Sequence, residues 1–172
     1  DEDSLANAVS AVRTSLDAAV EKGRLAPDEA ARRKAALTGA TDFAALSGCD
    51  LAIEAVFEDM AIKRDVLGRL ERVLAADAML ATNTSYLDID AMAEGVAHKG
   101  RVVGLHFFSP ADVMPLIEVV RANATDDATL ATALNRSCGR RRLGGTSRRL
   151  LLLLPFTRRR VRAATRRVLD EF

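Results

Sequence analysis

Tryptophan is absent from this chain of 172 residues, which also contains only one tyrosine, two histidines and two cysteines. Cys49 and Cys138 are far apart and lack metal-ligand spacing, so the sequence predicts free thiols in a reducing compartment and no metal site. No run of about 18 apolar residues is present, which argues against a transmembrane helix. The acidic start, DEDSLANAV, contains no apolar signal core. Together these absences predict a cytoplasmic protein that does not associate with membranes.

Acidic residues are scarce at one end of the chain. Residues 136–172 carry twelve arginines and two acidic residues, a net charge of +10, whereas residues 1–135 carry a net charge of −9. Such a break predicts two regions, a folded domain over 1–135 and an aberrant arginine-rich tail over 136–172. The tail is interpreted either as the product of a reading-frame change or as a basic segment that contacts phosphate. It has no aromatic interleaving and no nucleic-acid module, which favours the first interpretation.

Hydrophobic spacing predicts alternating helices and strands. The predicted elements are helices from Asp3 or Ser4 to Lys22 and from Pro27, a candidate strand at 38–41, a strand at 50–56, a helix at 60–74, a strand at 79–81, a helix at 87–93, strands at 101–105 and 116–120, and an apolar run at 150–154 that is either a strand or an aggregation-prone segment. Ile62, Val66, Leu70 and Val73 mark the apolar face predicted for the third helix. The alternation predicts a doubly wound, mostly parallel sheet flanked by helices.

The segment 80–120 contains most of the candidate chemistry. His106 follows a β-branched run, and Glu118 lies twelve residues later on the next predicted strand. A carboxylate on a neighbouring strand can hold the imidazole ring and allow its other nitrogen to act as a general base. On spacing alone, a hydrogen-bonded structural histidine remains the alternative.

Two further polar residues follow predicted strands. Glu58 comes just after the strand at 50–56, and Ser85 ends the TNTS turn after the strand at 79–81. Doubly wound sheets bind ligands at the carboxyl ends of their strands. The turn at Ser85 is equally typical of a helix N-cap, and capping and chemistry are compatible in one residue.

These segments resemble the NAD-binding domain of the L-3-hydroxyacyl-CoA dehydrogenases, including the 3-hydroxybutyryl-CoA type. The similarity covers about residues 5–134 and is dense over 49–121, where it includes DLAIEAVFEDMAIKRDV, NTSYLDI and GLHFFSPADVMPLIEVV. The resemblance implies a Rossmann-like fold, NAD as cofactor and oxidation of an L-3-hydroxyacyl-CoA to a 3-ketoacyl-CoA in fatty-acid β-oxidation. It also implies a homodimer.

The resemblance implies a role for each matched position. His106 would take the proton from the substrate's 3-hydroxyl, Glu118 would orient its ring, and Ser85 would lie beside the reacting oxygen and the nicotinamide. The implied cofactor contacts are Glu58, Lys63, Ser85 and Ser109, and the implied substrate contacts are Ser15, Lys22 and Ser85. By spacing alone, Ser15 and Lys22 are more typical of solvated surface.

The sequence departs from the family pattern at both ends. It contains no G-x-G-x-x-G turn to receive a pyrophosphate, so we expect the first βαβ strands to be missing and one sheet edge to lack a partner. No asparagine beyond Asn135 matches the family's catalytic asparagine, and we expect the dimer-forming helical domain to be absent. These departures predict impaired activity. The alternatives are a non-catalytic remnant that binds nucleotide or CoA weakly, or a basic-tail binding module.

Overall fold

The computed structural model describes residues 1–108, 117–138 and 151–152. The chain divides into two compact units, Asp1–Ala45 and Leu46–Phe172. The elements in chain order are α1 (Glu2–Glu21), α2 (Pro27–Ala36), a 3-10 turn (Phe43–Leu46), β1 (Leu51–Glu54), α3 (Met60–Val73), β2 (Met79–Thr82), α4 (Ile89–Ala93), a 3-10 turn (Lys99–Arg101), β3 (Val102–Phe107), β4 (Ile117–Val120), α5 (Asp127–Cys138) and β5 (Leu151–Leu152).

The first unit contains α1 and α2. Asp1 caps α1 by accepting a 2.7 Å hydrogen bond from the Ser4 N–H, so the predicted caps Asp3 and Ser4 are wrong by two or three residues. Gly23, at a φ of 63°, ends the helix in the left-handed conformation that glycine adopts readily. Pro27 occupies the first turn of α2, as predicted.

The strand predicted at residues 38–41 is wrong, because this segment forms neither helix nor strand. It packs along α1 instead of along another strand. A Cβ added to Gly39 would lie 2.8 Å from the Leu5 Cδ1 atom, and the Thr41 hydroxyl donates a 3.2 Å hydrogen bond to Glu2. Close packing on a helix therefore replaces the predicted strand pairing.

The second unit contains a five-stranded sheet in the order β4-β3-β2-β1-β5. Strands β5, β1, β2 and β3 are parallel, and β4 pairs antiparallel with β3. All four residues of β1 and of β2 are buried, as expected for parallel strands covered on both faces. Side chains alternate between the faces. One face forms a core of Leu51, Ile53, Met79, Ala81, Val103, Leu105 and Ala133. The doubly wound α/β prediction is confirmed.

The other face of the sheet packs against α3 and α4. Gly104 permits a close approach here, because an added Cβ would lie 2.6 Å from the Ile89 Cδ1 atom of α4 and 2.7 Å from the Val120 Cβ atom of β4. His106 follows two residues later on the same strand face. The short α4 helix is therefore seated against the strand that carries the candidate base.

Two further expectations bear on the edge of the sheet and on membranes. Leu151 and Leu152 pair with Ala52 and Ile53, so the expectation that the edge beside β1 lacks a partner is wrong at these positions. Residues 151–152 also form a strand, which was one of the two alternatives predicted for the apolar run at 150–154. Within the described ranges, no helix is both long enough and apolar enough to cross a membrane.

Candidate active site

The candidate site is built at the carboxyl ends of β1, β2 and β3. The register aligns Glu54 with Thr82 and Thr82 with Gly104, so the three strands finish side by side. The residues that follow include Glu58, the turn from Asn83 to Ser85, and Phe108. This edge is where ligands bind in open α/β sheets.

His106 and Glu118 lie directly opposite each other in the antiparallel pair of β3 and β4. The His106 Nδ1 atom is 2.8 Å from the Glu118 Oε2 atom, and the histidine is 1% exposed. Because an ionised carboxylate can only accept, this contact requires a proton on Nδ1, which makes Nε2 the basic nitrogen of the neutral ring. The Phe108 ring lies against the imidazole, with centroids 4.8 Å apart. The pair is arranged as an oriented general base.

Glu58 accepts hydrogen bonds from the turn that contains Ser85. Its Oε1 atom accepts hydrogen bonds from the Thr84 hydroxyl at 2.6 Å, the Ser85 N–H at 3.0 Å and the Ser85 hydroxyl at 3.4 Å. Burial raises the pKa of the Glu58 carboxyl, but these donors and the nearby Lys63 ammonium outweigh burial and leave that pKa below its ordinary value. Glu58 is therefore held as an anion against Ser85.

Lys63 lies under this carboxylate, in the first turn of α3. It is 1% exposed, and its Nζ atom is 3.0 Å from both Glu54 oxygens and 3.2 Å from the Glu58 Oε2 atom. Thr82 donates a hydrogen bond to Glu54. Sequence reasoning placed Glu54 at the ligand-binding end of its strand but did not predict its pairing with Lys63, and it assigned no role to Thr82. The available signal was an acid inside a buried apolar strand, followed nine residues later by a lysine at the start of a helix.

Asn83 connects the ends of three strands. Its N–H donates to the Glu54 carbonyl at 2.9 Å, and its Oδ1 atom accepts from the Phe107 N–H at 2.9 Å. The Nδ2 atom is buried without a hydrogen-bond partner among the described residues. Buried donors in folded proteins are nearly always hydrogen-bonded, so we expect this amide to bind an acceptor that is not among the described residues.

The acceptor on Glu58 and the donor on Asn83 fit the nicotinamide end of NAD. The Glu58 Oε2 atom, although paired with Lys63, accepts no hydrogen bond within the described part of the chain. A carboxylate with spare accepting capacity suits a ribose hydroxyl, and the Asn83 amide donor suits a carbonyl acceptor such as a carboxamide. In the ranges that the structure describes, no cluster of histidine, cysteine or acidic residues is suited to a metal ion.

The remaining predicted residues are not brought to this edge by any described contact. Ser15 lies on α1 and Lys22 just after it, both exposed in the first unit. Ser109 lies outside the described residues. Cys49 has a free, buried thiol. The roles assigned to Ser15, Lys22 and Ser109 stay predictions.

A mostly parallel sheet with a histidine–carboxylate pair and a second carboxylate at its carboxyl edge is compatible with the class of dinucleotide-dependent dehydrogenases. Comparison with known proteins then gives the family. The chain belongs to the 3-hydroxyacyl-CoA dehydrogenase family, because the model of that family's NAD binding domain matches residues 1–141. The resemblance in the sequence motifs, and the NAD-binding character that it implied, are confirmed.

Individual relatives agree with this assignment. A peroxisomal fatty acid beta-oxidation multifunctional protein of Arabidopsis thaliana is 36% identical over 121 residues, which are 70% of this chain and 17% of that protein. The structure of 3-hydroxybutyryl-CoA dehydrogenase from Escherichia coli matches with a TM-score of 0.78 and 33% identity, over 80% of this chain and 29% of that one. The structure of (S)-3-hydroxybutyryl-CoA dehydrogenase from Ralstonia eutropha matches with a TM-score of 0.77 and 30% identity, over 80% of this chain and 49% of that one. The chain thus spans less than half the length of these relatives.

Proposed function

We propose that this chain supplies the nicotinamide-binding and proton-accepting part of an NAD-dependent L-3-hydroxyacyl-CoA dehydrogenase. The observation that carries the proposal is the 2.8 Å contact between the His106 Nδ1 atom and Glu118 at the carboxyl edge of the sheet. The substrate class follows from the relatives, whose names specify 3-hydroxybutyryl-CoA dehydrogenases. The pathway is fatty-acid β-oxidation, as in the multifunctional relative.

His106 has the role of the base. Its Nε2 atom takes the proton from the 3-hydroxyl, and Glu118 stabilises the imidazolium that forms. The Ser85 side chain lies beside the same substrate oxygen and positions it, while Glu58 fixes the turn by accepting from the Ser85 N–H. Glu58 and Asn83 would hold the nicotinamide end of NAD, which would supply the hydride acceptor needed to oxidise C3 of the substrate to a 3-ketoacyl-CoA.

Other parts of the proposal rest on the family alone. Ser15 and Lys22 are proposed to contact CoA, where an ammonium suits the coenzyme's phosphates, and Ser109 is proposed to contact the cofactor. The predicted cytoplasmic location stays a prediction, since one relative is named as peroxisomal and another, from Brassica napus, as glyoxysomal.

The test combines binding and turnover. NADH binding is measured by calorimetry, and reduction of acetoacetyl-CoA is followed by the loss of NADH absorbance. We expect His106→Gln to lower turnover by about 100- to 10,000-fold, because the general base is removed, and to leave the NADH dissociation constant within about twofold, because the ring contacts the substrate oxygen.

His98→Gln is the matched control, because His98 is the chain's other histidine and its side chain is 67% exposed. It is expected to retain wild-type turnover. Undiminished turnover in His106→Gln would remove His106 from the mechanism. NADH binding by the wild-type chain without any turnover would instead favour a non-catalytic binding protein.

A further inference from the structure

Burial fixes the register of β4 on β3 only weakly. Ile117 and Val119 pack on the core, yet all four residues of β4 are half-buried, so the strand lacks the clear alternation that specifies register. A displacement by one residue would set Ile117 or Val119 opposite His106, and one by two residues would set Val120 there. In each case the Glu118 carboxylate would leave the imidazole. The pairing of His106 with Glu118 therefore requires a further contact that holds β4 in place.

Thr125, which follows β4, supplies a specific link between the two strands. It is 2% exposed, and its hydroxyl accepts a 2.9 Å hydrogen bond from the Ala122 N–H and donates a 2.6 Å hydrogen bond to the Val102 carbonyl. The register that pairs Gly104 with Val120, continued by two residues, sets Val102 opposite Ala122. The hydroxyl thus bridges an N–H and a carbonyl that this register brings opposite each other.

The bridge fits one register of the strand pair. The Thr125 N–H donates a 3.1 Å hydrogen bond to the Ala122 carbonyl, which closes the turn and keeps the hydroxyl close to Ala122. Carbonyls of successive residues in a strand point to opposite sides. A displacement by one residue would therefore take the Val102 carbonyl away from the hydroxyl and leave a buried donor and a buried acceptor unpaired.

A second anchor in the same turn opposes a larger displacement. The Asn123 N–H donates to the Asp90 Oδ1 atom at 2.7 Å, and the Asn123 Nδ2 atom donates to the Asp90 Oδ2 atom at 3.0 Å. Asp90 belongs to α4, which is seated on Gly104 of β3. A displacement by two residues is about 7 Å along a strand and would break both hydrogen bonds.

We propose that Thr125 is a positioning residue, whose hydroxyl sets the register of β4 on β3 and thereby holds Glu118 against the His106 Nδ1 atom. The proposal rests on the proposed function, because it takes His106 as the general base. Ala122, which the hydroxyl holds, is four residues from Glu118, roughly 13 Å along a strand. Thr125 therefore acts through Glu118, without touching substrate or cofactor, and its loss should lower kcat without raising KM.

Four variants of the full chain test this role. Thr125→Val keeps the shape of threonine and removes the oxygen, and Thr125→Ser restores a hydroxyl. Thr125→Cys is a milder variant with the shape of serine, because a thiol is only a weak donor and acceptor. Thr132→Val is the matched control, since the Thr132 hydroxyl is exposed and donates to the Ala128 carbonyl within α5 at 2.8 Å.

Two measurements are made on each variant that circular dichroism shows to be folded. Reduction of acetoacetyl-CoA gives kcat and KM, and NMR of isotope-labelled histidine, assigned with His98→Gln, detects the proton on the His106 Nδ1 atom. We expect Thr125→Val to lower kcat about 10- to 100-fold, because the ring is no longer held by the carboxylate, and to keep KM within about twofold. It should also lose the Nδ1 proton resonance. Thr125→Cys should show a smaller change in both, and Thr125→Ser and Thr132→Val should match the wild type.

A double-mutant cycle separates positioning from a general effect on packing. In a Glu118→Gln background, Thr125→Val should cause no further loss of kcat, because Thr125 acts through Glu118. A further loss as large as in the wild-type background would overturn the inference.

Wild-type kcat and an intact Nδ1 proton resonance in folded Thr125→Val, or in Thr125→Cys if the valine variant does not fold, would also overturn it. A wild-type chain without turnover would instead overturn the proposed function, and the NMR resonance would still decide the role of Thr125.

Discussion

Each end of the parallel strands contains a buried cation paired with a carboxylate. The two ends differ in how many hydrogen bonds the carboxylate oxygens already accept. At the carboxyl end, Lys63 lies between Glu54 and Glu58. At the amino end, Arg101 precedes β3 and pairs with Glu71 at 3.4 Å. The comparison sets a cluster beside the candidate site against one that joins loops to the sheet.

The Arg101–Glu71 pair at the amino end holds neighbouring loops against the sheet through hydrogen bonds. The Glu71 oxygens accept the Ala97 N–H at 3.0 Å and the His98 N–H at 3.2 Å, and Arg101 donates to the carbonyls of Ala75 and Ala78. Burial raises the pKa of Glu71, but these N–H groups and Arg101 outweigh it and leave that pKa below its ordinary value. Both oxygens of Glu71 are thus engaged by backbone N–H groups.

The carboxyl end leaves polar atoms for a ligand. Among the described residues, the Glu58 Oε2 atom and the Asn83 Nδ2 atom are buried without a hydrogen bond. His106 and Glu118 complete the same edge. The Arg101 Nε atom at the amino end is also buried without a hydrogen bond among the described residues, so the two ends differ in the carboxylate. We propose that unused accepting capacity on the carboxylate distinguishes the functional ion pair from the structural one.

Arg101→Met is expected to have the largest effect on folding. It leaves Glu71 and two backbone carbonyls without their cation, so we expect a loss of about 3–5 kcal/mol in the free energy of unfolding, measured with urea. The NADH affinity of the folded protein should stay within about twofold, because the amino end takes no part in binding. Lys99→Met, exposed in the same 3-10 turn, is the control. A parallel loss of NADH affinity would erase the distinction between the two ends.

Leu80→Ala tests the middle of the sheet, which supports both ends. Leu80 is 0% exposed and pairs with Ala52 and Val102, so the cavity should lower the free energy of unfolding by about 2–5 kcal/mol. Leu80→Met, which conserves volume, should cost less than about 1.5 kcal/mol. Thermal unfolding measures both. A cost for Leu80→Ala no greater than for Leu80→Met would show that this position is not tightly packed.

Asn83→Ala should be intermediate and should act on both folding and binding. It removes the acceptor of the Phe107 N–H, for which we expect a loss of about 1–3 kcal/mol in urea unfolding. NADH affinity should also fall, unlike in Arg101→Met, because the buried amide donor is lost. An unchanged NADH affinity in calorimetry would take Asn83 out of the binding site.

Glu71→Gln should reduce the acid sensitivity of folding without changing the acid sensitivity of NADH binding. The folded-state pKa of Glu71 lies below its ordinary value of 4.5, so its stabilisation is present above that value and is lost as the pH falls through the folded-state pKa. Without this carboxylate, unfolding curves from neutral to acid pH should converge with those of the wild type at the acid end. Curves that stay parallel throughout would contradict this.

Glu94→Gln should have the smallest effect. Glu94 pairs with Arg64 at 2.7 Å, but both side chains are exposed, and such pairs contribute about 0–1 kcal/mol. Urea unfolding should therefore give a change within that range. A cost comparable to that of Arg101→Met would mean that burial does not separate the two kinds of ion pair.

Much of the fold was predictable because burial leaves a clear pattern in parallel strands. The continuous apolar run at 50–56 gave β1, and the polar residues just beyond it, among them Glu58, are at the carboxyl edge as expected. The contact between His106 and Glu118 follows from their antiparallel register, which a spacing of twelve residues suggests but does not determine.

The errors have a physical cause in Lys63. The apolar face predicted for α3 included Ile62 and Val66, yet Ile62 is 44% exposed and the buried residues are Lys63, Leu67 and Leu70. A hydrophobicity pattern counts lysine as exposed, so it misplaces the helix face by one residue. The burial of Lys63 depends on Glu54, a partner on another element, and pairing of that kind is not visible in local periodicity.

The most direct test compares one carboxylate from each end. NADH is titrated by calorimetry into Glu58→Gln and Glu71→Gln at neutral pH, each confirmed as folded by circular dichroism. Our account predicts that Glu58→Gln loses about tenfold or more in NADH affinity, because the ribose-binding anion is gone, and that Glu71→Gln binds like the wild type. Equal affinities in the two variants would contradict the assignment of cofactor binding to the carboxyl end of the sheet.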